Sequence, residues 1–575
     1  MTQFALVKRA AANMMGMAAR DPLWAIVAMI TFPFRYAKSF AMHALGYVLI
    51  ILIVSIGIDY LTWRLPGSSE GGILILVGNC VFFLFALALL LRMLSAPLIT
   101  HFGMASDDTH GSARLASKRE IKPLTRSPDG LLIGRAPGSG RLLRYDGPAH
   151  LITMAPTRSG KGVGTIIPNL LTADRSIICV DPKGENARVA GDARLRFGPV
   201  HILDPFGITG KPSAAFNPLS GFDADSIDVA EDAATLADAL VFDEPGLAGD
   251  AHWNEEAKAL IAGLLLHVVA TQPDDRRTLT MLRHMLTLAP EAFRILLDEM
   301  QDSDAVNGLI ARAANRHLGK SDREASGVLS AAQRHTHFLD SPRMTHVLSR
   351  SDFRFGDLKS EKATVFLVLP PDRLAAYSRW LRLLISQSLI EMARFSPSSV
   401  SLAPVSLAPV SSAPRSSTPP VLYLLDEFAA LGHLAPIERA MGLMAGYGVQ
   451  LWPIVQDIHQ LRATYGQRAG TFLSNAGVLQ VFGVNDHDSA RLVSDLLGEE
   501  TVVFNTIARA LDSEKTGLSL AEQHVARPLL TPDEVRNLPA SVEILFIAGQ
   551  RPIAAGKLRY YVDPEFAGLF EKPQT

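Results

Sequence analysis

Cysteine is nearly missing from this chain. Its 575 residues include two, Cys80 and Cys179, far apart and each inside an apolar run. Two such thiols make no disulfide framework, and neither has the spacing of a metal ligand. Both read as small buried hydrophobes. An excess of positive charge is lacking too. Lys and Arg number 55 against 57 Asp and Glu, for a net charge of −2. That balance argues against a monomer gripping duplex nucleic acid over a wide face; any such contact is local or built up by an oligomer. No cleaved signal peptide is expected, because no small-residue site follows a short apolar core at the start.

Long apolar runs, by contrast, are present. Residues 40–58, FAMHALGYVLIILIVSIGI, and 72–91, GILILVGNCVFFLFALALLL, are each long enough to cross a hydrocarbon core as a helix. Between them lies the hydrophilic turn DYLTWRLPGSSEG. Lys8, Arg9, Arg20, Arg35 and Lys38 precede the pair, Arg92, Arg114, Lys118 and Arg119 follow it, and only Arg64 stands between. The positive-inside rule then predicts a helical hairpin with both termini in the cytoplasm, and Tyr60 and Trp63 sit where an interfacial belt would hold them. The run at 23–34 is shorter and broken by Pro33, so it is expected to be an interfacial helix, with a partial third span as the alternative.

From about residue 105 the pattern becomes mixed α/β. Apolar runs at 151–154, 176–182, 199–205, 364–370, 421–427, 449–456, 478–483 and 542–549 lack clean alternation. They suit strands buried on both faces of a parallel-rich sheet. Helical patterns between them, such as 375–395, predict a doubly wound α/β domain. Residues 222–350 read as helices throughout. The predicted organisation is a membrane anchor at 1–104, an α/β domain in two parts at 105–221 and 351–575, and an all-α insertion at 222–350. SPSSVSLAPVSLAPVSSAPRSSTPP at 396–420 is low in complexity and reads as an exposed loop.

Two stretches carry chemistry. APTRSGKG at 155–162 follows a strand and opens a helical pattern. Backbone N–H groups in such a turn point at phosphates, Lys161 reaches the β/γ oxygens, and Gly160 and Gly162 let the backbone approach closely. Ala155, Pro156, Thr157, Arg158, Ser159, Gly160, Lys161 and Gly162 are therefore the expected nucleotide-binding loop. It departs from G-x-x-x-x-G-K-[ST] at Ala155 and at Gly162, which removes the usual magnesium hydroxyl. Thr165 is the first candidate to replace it, with Ser159, Thr157 and water as alternatives. The second stretch, VLYLLDEF at 421–428, ends a strand in adjacent carboxylates. Asp426 is expected to hold magnesium and Glu427 to act as general base. The cofactors expected are ATP and Mg2+.

APTRSGKGVG, DPKGE at 181–185, FNPL at 216–219, WNEEAKALI at 253–261, LYLLDEFAALGHL at 422–434 and QDIHQL at 456–461 together resemble the type IV secretion coupling proteins, the TraG-like ATPases of conjugation. HGSARLASKREI at 110–121 and RPLLTPDEVRNLP at 527–539 fit as well. The resemblance covers nearly the whole chain. It implies a P-loop (RecA-like) ATPase of the bacterial inner membrane, assembled as a homo-hexamer, that passes relaxase-bound single-stranded DNA or an effector protein to the secretion channel. It also implies that Gly162 is a family trait and that Gln456 is a sensor of the γ-phosphate or its water. Asp181, Lys183 and Glu185 either line the site or pair locally. Motors of this class take an arginine from the adjacent subunit; Arg379, Arg382, Arg439 and Arg491 are candidates. Two rival readings stand beside it: a docking receptor whose nucleotide site controls assembly, and a chromosome-partitioning translocase.

Overall fold

The computed structural model describes residues 110–241, 251–394, 419–509 and 518–570, with a few helical residues between positions 7 and 87. Residues 52–57 are helical. The remainder of the predicted spans at 40–58 and 72–91 lies largely outside the described residues, as do Cys80, the run at 23–34 and nearly all of the 396–420 loop. Among the described residues no helix is long and apolar enough to cross a membrane.

The chain forms two compact units. One comprises residues 1–112 and 499–527 and contains the two-stranded sheet of β10 (Glu499–Arg509) and β11 (Leu518–Pro528). The other comprises residues 113–498 and 528–575. It is built on an eleven-stranded sheet. In chain order the strands are β1 (Leu131–Arg135), β2 (Leu142–Tyr145), β3 (His150–Met154), β4 (Ile177–Asp181), β5 (Val200–Leu203), β6 (Thr364–Val368), β7 (Val421–Leu425), β8 (Val449–Val455), β9 (Ala476–Val481), β12 (Val542–Ile547) and β13 (Ile553–Gly556). Across the sheet they run β2-β1-β13-β12-β9-β3-β8-β7-β4-β6-β5.

From β9 to β5 every neighbouring pair is parallel, while the β12, β13, β1 and β2 wing is antiparallel. The run at 542–549 is therefore a sheet strand as expected, but it pairs antiparallel with β9. An apolar run reports burial on both faces and carries no signal of strand direction, so the antiparallel pairing is not readable from it.

The non-alternating apolar runs have a direct cause. Ile152, Met154, Ile178 and Val180 enter one core, whereas Leu151, Ile177 and Cys179 enter the core on the opposite face. Both faces exclude water, so most positions in these strands are apolar and the polar ones, such as Thr153, are hydrogen-bonded. Cys179 is fully buried and free, and burial raises its thiol pKa.

Between β5 and β6 the described residues form helices without a strand. The longest, Ala251–Thr271, buries Leu260, Ile261, Leu264, Leu265 and Val268. Those side chains join the same core as β3 and β4, together with Trp380 and Leu384 of the Pro371–Arg394 helix.

Candidate functional site

β3 ends at Met154, and the Ala155 N–H extends its pairing by donating to the Val455 carbonyl of β8 at 2.9 Å. The chain then turns tightly. Ser159 N–H donates to the Pro156 carbonyl at 3.1 Å, and Arg158 and Gly160 take φ of 63° and 94°. Glycine tolerates that conformation freely, whereas Arg158 pays a steric cost to hold it. Gly162–Ile166 forms one π-helical turn, continued by the Ile167–Thr172 helix with Pro168 in its first turn. Thr157 and Arg158 are exposed at the tip, and Lys161 is part-buried at the helix entrance.

β7 lies two strands from β3, with β8 between them. All three are parallel, so their C-terminal ends share one edge of the sheet. Asp426 and Glu427 leave the end of β7, and Glu427 adopts the left-handed conformation with φ 49°. Its N–H donates to its neighbour's Asp426 Oδ1 at 2.9 Å. Lys161 Nζ meets Asp426 Oδ1 at 2.9 Å and Glu427 Oε1 at 2.5 Å. Gln456, following β8, completes the set: its Nε2 donates to Glu427 Oε2 at 3.1 Å and its Oε1 accepts from Thr157 Oγ1 at 3.3 Å. Asp457 caps the Ile458–Tyr465 helix, so the residue beside Gln456 is held firmly.

The charges stabilise one another. Burial would raise the Glu427 carboxyl, but hydrogen bonding and attraction from Lys161, with smaller help from Gln456 and Lys183, hold it below the usual range. Burial works against the Lys161 ammonium, and Asp426 and Glu427 overcome it to raise its pKa. Both groups therefore stay ionised at neutral pH. Asp181, at the end of β4 beside β7, is buried and pushed up to about 6, by burial first and by Asp426 as well, against the donation of Ala187 N–H at 2.8 Å. Ser159 Oγ is buried and has no hydrogen-bond partner among the described residues.

Thr165 is not brought to the carboxylates. Its hydroxyl is fully buried and donates to Gln480 Oε1 at 3.0 Å. The cause is the π turn: an i→i+5 turn advances each side chain less far than an α turn, so Thr165 does not come back beneath Gly162. Gln480 also accepts from Thr153 at 2.8 Å and donates to Glu543 at 2.8 Å. This buried polar network under the loop helix escaped the sequence reading, since Thr153, Thr165, Gln480 and Glu543 belong to four separate segments. Of the arginine candidates, Arg382 is buried and donates to the carbonyls of Leu431 and His433, a structural role. Arg439 and Arg491 are exposed.

The model of the type IV secretory system conjugative DNA transfer family matches residues 103–575. The chain belongs to this family. Among similar family members, a conjugal transfer protein TraG of Escherichia coli is 28% identical over 510 residues, covering 81% of this chain and 78% of its own. Protein VirD4 of Rhizobium rhizogenes is 27% identical over 486 residues, covering 80% and 67%. Among solved structures, the bacterial conjugative coupling protein TrwBdeltaN70 in its unbound monoclinic form aligns with a TM-score of 0.59 at 19% identity, over 80% of this chain and 96% of its own. Plasmid coupling protein TrwB in complex with ADP and Mg2+ aligns with a TM-score of 0.56 at 19% identity, over 80% and 95%. These structural likenesses establish a TrwB-like fold for this conjugative DNA-transfer family member.

Proposed function

We propose that this chain is the coupling ATPase of a conjugative type IV secretion system. The observation that carries the reading is the convergence of Lys161, Asp426, Glu427 and Gln456 on one sheet edge. The Ala155–Gly162 loop would hold the phosphates of ATP through its N–H groups, with Lys161 on the outer oxygens. An orphaned Ser159 hydroxyl and glycine-rich backbone fit that ligand. Asp426 would hold Mg2+, directly or through water, which supplies charge neutralisation at the transferring phosphoryl group. Glu427 is kept ionised and can accept a proton from water. Gln456 orients Glu427 and links it to Thr157 in the loop, as a nucleotide sensor would.

On this reading the 1–104 segment anchors the protein in the inner membrane, residues 105–221 and 351–575 form the ATPase part, and the 222–350 helices recognise the relaxase bound to single-stranded DNA. A homo-hexamer would multiply a few basic residues per subunit into a girdle around the strand, which reconciles the net charge of −2 with nucleic-acid handling. Arg439 and Arg491 are the exposed candidates for a residue acting on the neighbouring subunit's nucleotide.

ATP turnover by the purified chain, with and without single-stranded DNA, tests the proposal. Stimulated turnover that disappears in Lys161→Ala and Glu427→Gln supports a motor. Nucleotide binding without turnover, even in the assembled state, would replace it with a docking receptor.

A further inference from the structure

Lys557, immediately after β13, reaches the nucleotide loop from the far end of the sequence. Its Nζ donates to the Phe482 carbonyl at 2.5 Å and to the Ser159 carbonyl at 3.3 Å. It also lies over the Phe482 ring, 4.8 Å from the centroid. Phe482 is itself fixed, since its N–H donates to the Met154 carbonyl at 2.9 Å at the end of β3. Lys557 is anchored through its own N–H, which donates to the Ser541 carbonyl at 2.9 Å. The ammonium thus ties the end of β9 to the loop that leaves β3.

The following residues ride on the same loop helix. A Cβ at Gly164 would lie 3.0 Å from the Leu558 carbonyl oxygen, and the Tyr560 N–H donates to the Val163 carbonyl at 3.5 Å. Lys557 is therefore one part of a brace, and the part that touches the phosphate turn itself.

The peptide joining Ser159 to Gly160 is trans. In a planar trans peptide the carbonyl and the N–H point in opposite directions. A carbonyl held by Lys557 therefore turns the Gly160 N–H to the other side of the loop. A charged donor on the carbonyl also polarises the peptide and strengthens its N–H as a donor. Gly160, at φ 94°, can adopt this orientation but does not by itself select it, because glycine has many conformations open to it.

We propose that Lys557 is a positioning residue for nucleotide binding: it orients the Ser159–Gly160 peptide so that the Gly160 N–H donates to a nucleotide phosphate. This inference rests on the ATP-site reading above and adds a residue to it.

The test uses the full chain in detergent, a fluorescent ATP analogue with Mg2+, and the variants Lys557→Met and Lys557→Arg. Lys557→Met is expected to weaken nucleotide binding about tenfold and to raise KM by a similar factor, with kcat within about twofold. Lys557→Arg, which still donates to carbonyls, should recover most of the affinity. Unfolding without nucleotide should move little in either variant. Where the Met variant does not fold, Lys557→Gln takes its place. Unchanged affinity in a folded Met or Gln variant overturns the inference alone. So does a loss that tracks unfolding of the apo protein and is not recovered by Arg. A wild type that binds no nucleotide overturns the ATP-site reading along with it.

Discussion

Lys161 touches both Asp426 and Glu427, and these contacts offset the cost of burying its ammonium. Removing one member should therefore separate binding from chemistry. Glu427→Gln keeps the shape and the contact to Gln456 but removes the proton acceptor; nucleotide binding should persist while turnover falls by about a hundredfold or more. Lys161→Ala leaves two acidic groups without their cation and should weaken nucleotide binding itself, as read by equilibrium titration. Thr165 makes the opposite case. Because its hydroxyl belongs to the Gln480 network, Thr165→Val should cost about 1 kcal/mol of stability and leave the Mg2+ dependence of turnover unchanged. A magnesium requirement shifted tenfold would return Thr165 to the metal.

Two elements expose how packing sets the limits of local change. The loop helix leaves no room at Gly164, whose Cβ would meet the Leu558 carbonyl at 3.0 Å and the Phe482 ring at 3.1 Å. Gly164→Val should lower stability by roughly 1–3 kcal/mol and reduce turnover, measured as melting temperature and kcat. The Ala251–Thr271 helix is tied differently. Glu256 pairs with Arg316 at 2.7 Å and Lys320 at 2.9 Å. The Arg316 hydrogen bond first, then Lys320, hold the Glu256 carboxyl down to about 2 against burial. A depressed carboxyl stabilises the fold above its unfolded pKa and ceases to do so as pH falls through the folded one. Glu256→Gln should thus cost about 1 kcal/mol at pH 7, and the gap in urea midpoint from wild type should close between about pH 4.5 and pH 2.

These elements were unequally legible. The parallel strands announced themselves because burial on both faces forces continuous apolar runs. β1, β2 and β13 did not. β1 contains Gly134 at φ 138° where the ladder is irregular, and the side-chain space there is filled by Glu543 Oε1 at 2.3 Å from an ideal Cβ. β2 and β13 span four residues each, too few to show a period.

At the scale of the molecule, the proposed motor demands assembly. Nucleotide and single-stranded DNA should shift the chain toward a ring in light scattering, and exchange of Arg439 or Arg491 for Ala should lower turnover of the ring while leaving nucleotide affinity within about threefold. A turnover that is full in the monomer would remove the need for a neighbouring arginine.

The sequence by itself determined the local chemistry: a lysine turn between a strand and a helix, and a buried strand ending in two carboxylates. Both are contiguous stretches, and backbone preference and burial act on neighbours in the chain. Tertiary structure decided which of them meet. The order β3-β8-β7 brings Lys161, Gln456 and Glu427 to one edge, the π turn rotates Thr165 into the interior, and the antiparallel wing carries Lys557 back to Ser159. Strand order and side-chain facing arise from packing between distant segments, and no local pattern encodes the partner.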